Sequence, residues 1–375
     1  MIAMKNIGIY RRVFPLKSEA FIKEQTRNLL RYQPTFITNT LINEIPFQNI
    51  SLSQSDFLGI KQSLFLLTRS PRLFQQSSHL KKVDLIHAHF GPDGVYAMAI
   101  AEKLKIPFLV TFHGYDITIS RQNLWRKGKF LYYQLILHEE ELKRKSAAFI
   151  AVSRFIHSKL LEKEYPSEKI IQHYIGVDTV KFSPGEKAAE RYILCVARHT
   201  QKKGIDTLLR AFAQIANKHS DVSLVQVGTG ALTSELHTLT KALGLEHRVR
   251  FLGAQPHETV LDLMRGAEVF ALASQTAENG DCEGLPIVIN EASACGIPVI
   301  STQHSGIPEA ILDGATGFLV AERDYTALAE KLDIILSDPS LGKKMGQQGR
   351  ELVCENFDLR KQTLKLEAIY DSLAR

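Results

Sequence analysis

The sequence predicts an α/β protein made of two doubly wound domains, on three observations. The chain has 375 residues, more than one hydrophobic core usually reaches and about right for two. Short β-rich runs alternate with helix-length segments throughout, as in parallel sheets covered by helices on both faces. The alternation breaks once, at the polar, turn-rich Phe182-Ser183-Pro184-Gly185-Glu186-Lys187, after which a fresh strand begins.

In the first half, strands are expected at 6–10, 35–38, 83–87, 108–112, 148–152 and 170–175. In the second half they are expected at 192–197, 223–227, 250–252, 269–272, 298–301 and 317–320, with helices between. The domains are therefore drawn at 1–180 and 181–358, with 359–375 a terminal helix expected to cross back to the first domain. In that helix Leu364, Leu366, Ile369, Tyr370 and Leu373 fall at helical spacing on one apolar face.

Composition removes several function classes. With 45% hydrophobic and 23% charged residues the chain is an ordinary globular one. No run approaches the ~18 apolar residues of a spanning helix, and the start reads as a strand rather than a cleavable signal, so a cytoplasmic protein is expected. Cys195, Cys282, Cys295 and Cys354 are widely spaced, which argues for reduced thiols rather than a disulfide frame or a zinc site. The net charge of +6 is uneven: through Asp178 there are 25 Lys and Arg against 15 Asp and Glu, and beyond it 21 against 25. A basic first half suits an anionic partner. No aromatic platform or zinc spacing points to nucleic acid. The segment 57–74 holds Leu58, Ile60, Leu64, Leu66, Leu67 and Leu73 with Lys61, Arg69 and Arg72. It reads either as a helix packed on the sheet or as a basic apolar helix lying on a membrane surface, peripheral at the inner face.

The chemistry is expected at the carboxyl edges of the strands, where open α/β sheets bind ligands. In Glu283-Gly284-Leu285-Pro286-Ile287-Val288-Ile289-Asn290-Glu291 a polar loop enters a helix, and Gly296-Ile297-Pro298 stops that helix before the next strand. Free N–H groups at such a helix start, here Gly284 to Ile287, suit a diphosphate. Paired glutamates on a helix usually mark a solvated face, but Glu291 sits among Ile287, Val288, Ile289, Ala292 and Cys295, where a carboxylate needs partners. Ribose hydroxyls would serve. In Ala197-Arg198-His199-Thr200-Gln201-Lys202-Lys203-Gly204 a strand ends and a helix begins. Arg198 and Lys203 there would neutralise a leaving diphosphate. Gly228-Thr229-Gly230 is a weaker mark that alone does no more than turn the chain.

In the first half, two strands run into His87-Ala88-His89-Phe90-Gly91 and His113-Gly114-Tyr115-Asp116. A His-x-His pair without a third ligand does not make a metal site. His113 reads as an imidazole offered to a sugar hydroxyl or as a structural residue, and both readings stand at this point.

Taken together these residues resemble the family 4 retaining glycosyltransferases of the two-lobed GT-B fold, over nearly the whole chain. Glu283 and Glu291 look like the family's Glu-x₇-Glu element, Arg198 and Lys203 like its phosphate-binding pair, and His113 like the histidine beside the transferred sugar. Phe14-Pro15-Leu16-Lys17-Ser18-Glu19-Ala20-Phe21-Ile22, the His89 segment and Ser305-Gly306-Ile307-Pro308-Glu309 look like the branch containing colanic-acid glycosyltransferases of exopolysaccharide synthesis. Related sequences glycosylate small natural products. The loop 10–18 departs from the pattern, lacking the Gly-Gly many relatives have there.

The resemblance implies two Rossmann-like domains facing across a cleft and transfer of a hexose or deoxyhexose from a nucleoside-diphosphate sugar, with retention and no catalytic metal. Glu283 would hold the sugar and His113 orient it, so these two carry the catalytic expectation. Arg198, Lys203, Gly284, Leu285, Pro286, Ile287, Glu291 and Phe251 would hold the donor. Ser18, His89 and Asp116 would lie near the sugar or the acceptor, a small molecule or a lipid-linked saccharide. Two rival readings remain at this stage: a nucleotide-sugar 2-epimerase of the same architecture, and a catalytically idle binding protein at a membrane.

Overall fold

The computed structural model describes residues 4–16, 19–53, 58–74 and 79–374. The chain divides into two compact units, Met1–Gly176 with Leu359–Arg375, and Val177–Asp358.

The first unit is built on a parallel sheet of β1 (Lys5–Tyr10), β3 (Tyr32–Thr38), β5 (Gln48–Ser51), β6 (Leu85–His89), β7 (Phe108–Phe112), β8 (Ala148–Ala151) and β9 (Ile170–Gln172), in the order β5-β3-β1-β6-β7-β8-β9. A small pair, β2 (Val13–Phe14) and β4 (Thr40–Leu41), lies beside it. Strands β6, β7 and β8 are buried at every residue, as expected where helices cover both faces. The sequence reading placed most of these strands within a few residues. It missed β2, β4 and β5, which are too short to show a periodicity.

The terminal helix Leu359–Leu373 belongs to this unit. Its inward stripe is Leu359, Gln362, Thr363, Leu366, Glu367 and Tyr370, set by the 3.6-residue period. Leu364, expected on the apolar face, is 48% exposed, because the stripe runs through Leu359 and Leu366 instead. Glu367 is fully buried and accepts the backbone N–H groups of Leu30 (2.7 Å) and Arg31 (2.6 Å). Tyr370 packs on Tyr32, and its hydroxyl meets Nδ1 of His87 at 2.7 Å. Burying the Leu366 and Tyr370 side chains contributes roughly 1.5–3 kcal/mol each.

The second unit is a six-stranded parallel sheet: β10 (Arg191–Val196), β11 (Val222–Val227), β12 (Val249–Phe251), β13 (Val269–Leu272), β14 (Val299–Thr302) and β15 (Gly317–Val320), ordered β12-β11-β10-β13-β14-β15. It begins at Val177, a few residues before the expected boundary. The Val177 N–H donates to the Phe357 carbonyl at 2.7 Å, and Arg350 donates to the carbonyls of Thr179 and Phe182, so the segment 177–182 is tied into this unit.

In both sheets the winding reverses direction once, between β1 and β6 and between β10 and β13. Such a switch point opens a crevice at the carboxyl ends of the two strands. Among the described residues, no helix is long and apolar enough to cross a membrane.

Burial holds His87 at about 3 and His173 at about 4, both well below the usual 6.5. Protons therefore bind the unfolded chain first, and the stability these neutral rings contribute is complete above about pH 6.5 and lost as pH falls toward 4. Urea unfolding at pH 7 and pH 5 is expected to show a loss on the order of 1–2 kcal/mol per histidine. His87→Gln, which cannot titrate, is expected to flatten that dependence.

Candidate active site

The switch point of the second unit gathers three segments: 197–204 after β10, 273–286 after β13, and 303–309 after β14. The first is a short turn, Gln201–Lys203, ending at Gly204. Gly204 has φ +56°, and a Cβ there would lie 1.8 Å from the Ala273 carbonyl oxygen, so the cationic turn is pressed onto the end of β13 as only glycine allows. The Gln275 N–H and side-chain amide donate to the carbonyls of Lys202 and Gln201, each at 2.9 Å. Gly228 plays a similar part, since a Cβ there would meet the Ala197 carbonyl at 2.0 Å. Its service is close packing of β11 against the Arg198 loop.

This packing brings Lys203 and Glu283 together. Lys203 Nζ lies 3.1 Å from Glu283 Oε1, and Lys202 Nζ lies 3.5 Å from it and 3.0 Å from Asp281. Burial alone would push the Glu283 carboxyl up, but Lys203 and Lys202 outweigh it and hold it at about 2. Burial pulls Lys203 down against the attraction of Glu283, and Lys202 and Arg198 add to that pull. Three cations here face two carboxylates. Arg198 is exposed at the rim. The cluster carries an excess of positive charge in a half-dry place, which is what an arriving diphosphate needs.

The loop is fixed from its other side. The Glu283 N–H donates to Nε2 of His304 (3.3 Å), so His304 carries its proton on Nδ1, toward Glu322 at 2.6 Å. Glu322 also accepts from the N–H (2.8 Å) and hydroxyl (3.1 Å) of Thr276, and the Gly306 N–H donates to the Gly284 carbonyl. Lys202, His304 and Glu322 were not singled out in the sequence. Their signal was positional: each sits in a segment following a strand of this sheet.

The helix expected to start near Gly284 begins at Ile287, with Pro286 capping it, so Gly284, Leu285 and Pro286 are buried loop residues. Glu291 stands in the middle of this helix with its side chain 16% exposed, and its partner here is Nε2 of His257 at 3.2 Å. Phe251 ends β12, two strands from the crevice at the sheet edge. Its ring lies between those of His237 (4.3 Å) and His199 (5.8 Å), and it reaches the Arg198 loop through His199.

Among the described residues, seven buried side-chain polar atoms of this unit lack a hydrogen-bond partner: Thr200 Oγ1, Ser274 Oγ, Gln275 Oε1, Glu283 Oε1, both amide atoms of Asn290, and Ser305 Oγ. Glu283 Oε1 is in ion-pair range of two lysines but receives no well-directed hydrogen bond. All seven lie on the three edge segments or on the helix that follows Glu283. Folded interiors leave few such atoms unsatisfied, and a concentration of them at one sheet edge marks a place made for a polar ligand.

In the first unit, His113 follows β7 and is only partly exposed. Its Nε2 meets Nδ1 of His89 at 3.1 Å, and its ring rests against Phe90 and Phe21. Burial pushes both histidines well below their usual value, so both are neutral and one ring donates to the other. His89 is 2% exposed and stacks on His87, which is in turn held by Tyr370 and Thr111. It lies behind His113, in contact with that ring. Asp116 is also turned inward: it accepts the N–H groups of Gly91 (3.0 Å), His113 (3.1 Å) and Gly114 (2.9 Å), stapling the two histidine loops together. Burial raises its carboxyl to about 6 despite these donors. Asp116, expected near the sugar or the acceptor, thus has its oxygens engaged by backbone and acts here by holding the His113 loop in place. Ser18 lies outside the described residues.

Two family models match the chain, "Glycosyl transferases group 1" over residues 177–352 and "Glycosyltransferase Family 4" over residues 21–181. A putative colanic acid biosynthesis glycosyltransferase, WcaL, of Escherichia coli K12 is 35% identical over 256 residues, covering 67% of this chain and 61% of that protein. Its Salmonella typhimurium counterpart is 33% identical, covering 73% and 67%. The amylovoran biosynthesis glycosyltransferase AmsK of Erwinia amylovora is 34% identical, covering 72% and 65%. The match thus spans about three fifths to two thirds of the length of these relatives. Among solved structures, Anabaena HepE in complex with UDP and glucose is similar over 98% of this chain and 100% of that one, with a TM-score of 0.78 at 20% identity. Another HepE structure holds UDP-glucose. These neighbours carry the GT-B fold.

Gly204→Ala is expected to destabilise the second unit by roughly 2 kcal/mol or more, since the methyl group must displace the Ala273 carbonyl from a left-handed backbone. Urea unfolding measures this. An unchanged midpoint would mean the turn is not pressed on β13 as described.

Proposed function

The chain belongs to the group 1, family 4 glycosyltransferases, and on that premise we propose that it transfers a hexose or deoxyhexose, with retention, from a nucleoside-diphosphate sugar to an acceptor hydroxyl. The observation that carries this reading is the Lys203–Glu283 cluster at the switch point, surrounded by unsatisfied polar atoms and bearing excess positive charge.

In this reading the donor diphosphate lies against Arg198, Lys203 and the first turn of the helix at Ile287. Those donors stabilise the charge that grows on the phosphate as the glycosidic bond breaks. Glu283, ionised and with Oε1 lacking a directed hydrogen bond, accepts from hydroxyls of the sugar. Glu291, steadied by His257, takes the ribose. His113, its ring held in one tautomer by His89, takes the role of orienting the sugar. The acceptor attacks the face from which the diphosphate departs, and the leaving phosphate takes the acceptor proton.

No catalytic metal is invoked. Asp281 and Glu283 already have lysine ammonium groups where a divalent ion would have to sit. UDP, held by the HepE structures, is the first nucleotide to test. The names of the relatives favour a saccharide acceptor in polysaccharide synthesis, lipid-linked or free, over a small natural product. The enzyme would act in the cytoplasm, with its basic first unit meeting the inner membrane surface peripherally.

Thermal-shift titration with UDP, GDP, ADP and dTDP is expected to raise the melting temperature for one of them. With the matching donor and acceptor, Arg198→Ala and Glu283→Gln are each expected to lower kcat by ~10²-fold or more while the far-UV spectrum is unchanged. An idle binding protein would lose nothing. An epimerase would convert the donor without any acceptor. Turnover in the presence of EDTA is expected to persist, and loss restored by Mn²⁺ or Mg²⁺ would overturn the metal-free mechanism.

A further inference from the structure

The turn that opens the second unit is held from two sides. Asp178 Oδ1 accepts the N–H groups of Val180 (3.1 Å) and Lys181 (2.9 Å), and the Phe182 N–H donates to the Asp178 carbonyl at 2.8 Å. Arg265, near the end of the helix His257–Gly266, donates from its guanidinium to the carbonyls of Lys181 (3.1 Å) and Ser183 (3.0 Å). The Phe182 ring packs on that of His257, with centroids 5.1 Å apart. Lys181 is thereby set beside the first residue of that helix, and its Nζ lies 3.3 Å from Nδ1 of His257.

Hydrogen-bonding capacity gives this contact a direction. An ammonium group has N–H donors and no lone pair to offer, so Nδ1 of His257 has to accept. An imidazole that accepts on one nitrogen is neutral and carries its proton on the other. Nε2 of His257 is therefore the donor, and it lies 3.2 Å from Oε1 of Glu291. Lys181, His257 and Glu291 form one directed chain, ammonium to imidazole to carboxylate, in which the ammonium charge polarises the ring and strengthens its N–H as a donor. A charged His257 would turn an N–H toward the ammonium and break the chain.

The consequence for Glu291 is orientation. Its side chain stands on the helix Ile287–Ala294, 16% exposed, with rotamer freedom that a ligand would otherwise have to freeze. With Oε1 anchored by His257, the carboxylate plane is set before a ligand arrives, and Oε2 is left for a hydroxyl.

We propose that Lys181 and His257 are positioning residues for ribose recognition. They act through Glu291, fixing its carboxylate so that it accepts from the hydroxyls of the donor ribose, and so they set the preference of the site for a nucleotide that bears those hydroxyls. The inference rests on the donor reading above and deepens it, by deriving which residues make the ribose contact selective.

The test is isothermal titration calorimetry of the full chain with UDP, GDP, ADP and dTDP, each set against its dideoxyribose form. The wild-type protein is expected to favour the hydroxyl-bearing member of the pair it binds by about tenfold or more, as fits a hydrogen bond to a charged acceptor. Glu291→Ala is expected to remove that preference. His257→Ala and Lys181→Met are each expected to lower it by about threefold or more. His257→Gln, whose amide offers an oxygen to Lys181 and an N–H to Glu291, is expected to restore most of it. A purely structural role for the chain would lower the melting temperature and leave the ratio as it is. The inference alone is overturned if Glu291→Ala removes the preference while His257→Ala and Lys181→Met leave it intact, or if His257→Gln behaves as His257→Ala does. A protein that binds none of the four nucleotides, or whose preference survives Glu291→Ala, overturns the donor reading, and the inference falls with it.

Discussion

The contact between the cationic turn 201–203 and the end of β13 is the constraint on which the donor site depends. A carboxylate as buried as Glu283 costs several kcal/mol in isolation and is tolerated only where opposite charge is held close. Two lysines supply that charge, and they are close because Gly204 lets the backbone touch Ala273. The lysines could not reach Glu283 and Asp281 if the turn stood further out, and Arg198 beside them is then the cation in excess. The same contact therefore fixes the geometry and leaves the electrostatic imbalance on which a diphosphate can act.

Much of this was legible in the sequence, for a physical reason. Strands buried on both faces are continuous apolar runs, so β7 and β13 announce themselves, and the residues that follow such strands are the ones a doubly wound sheet places at its crevice. Arg198, Lys203 and Glu283 were found that way. What escaped was pairing between distant segments. His257 is 34 positions from Glu291 and Lys202 is 79 from Asp281, and no local pattern records which loops meet. The inward turn of Asp116 escaped for a related reason, since only the positions of three backbone N–H groups show where its oxygens go. The terminal helix was recognised by its period, yet Leu364 was assigned inward because an apolar residue one step off the stripe cannot be told from one on it.

The two units use the same doubly wound scheme, with seven and six strands, to different chemical ends. The edge of the second concentrates charge. The edge of the first concentrates neutral imidazoles, with His87, His89 and His113 in successive contact behind an aromatic wall of Phe21 and Phe90. Burial strips these rings of charge, which suits them to hydrogen bonding with uncharged hydroxyls.

The terminal helix has a consequence for the order in which the molecule can be completed. Residues 5–172 contribute the entire sheet of the first unit, but the hydroxyl that meets Nδ1 of His87 and the carboxylate partner for the Leu30 and Arg31 amides come from residues 359–373. As the polypeptide leaves the ribosome, the second unit can close on itself while the first still lacks a wall. The earlier-made half waits for the later-made one, exposing an apolar flank until then, and chain breakage anywhere in between leaves that half unfinished.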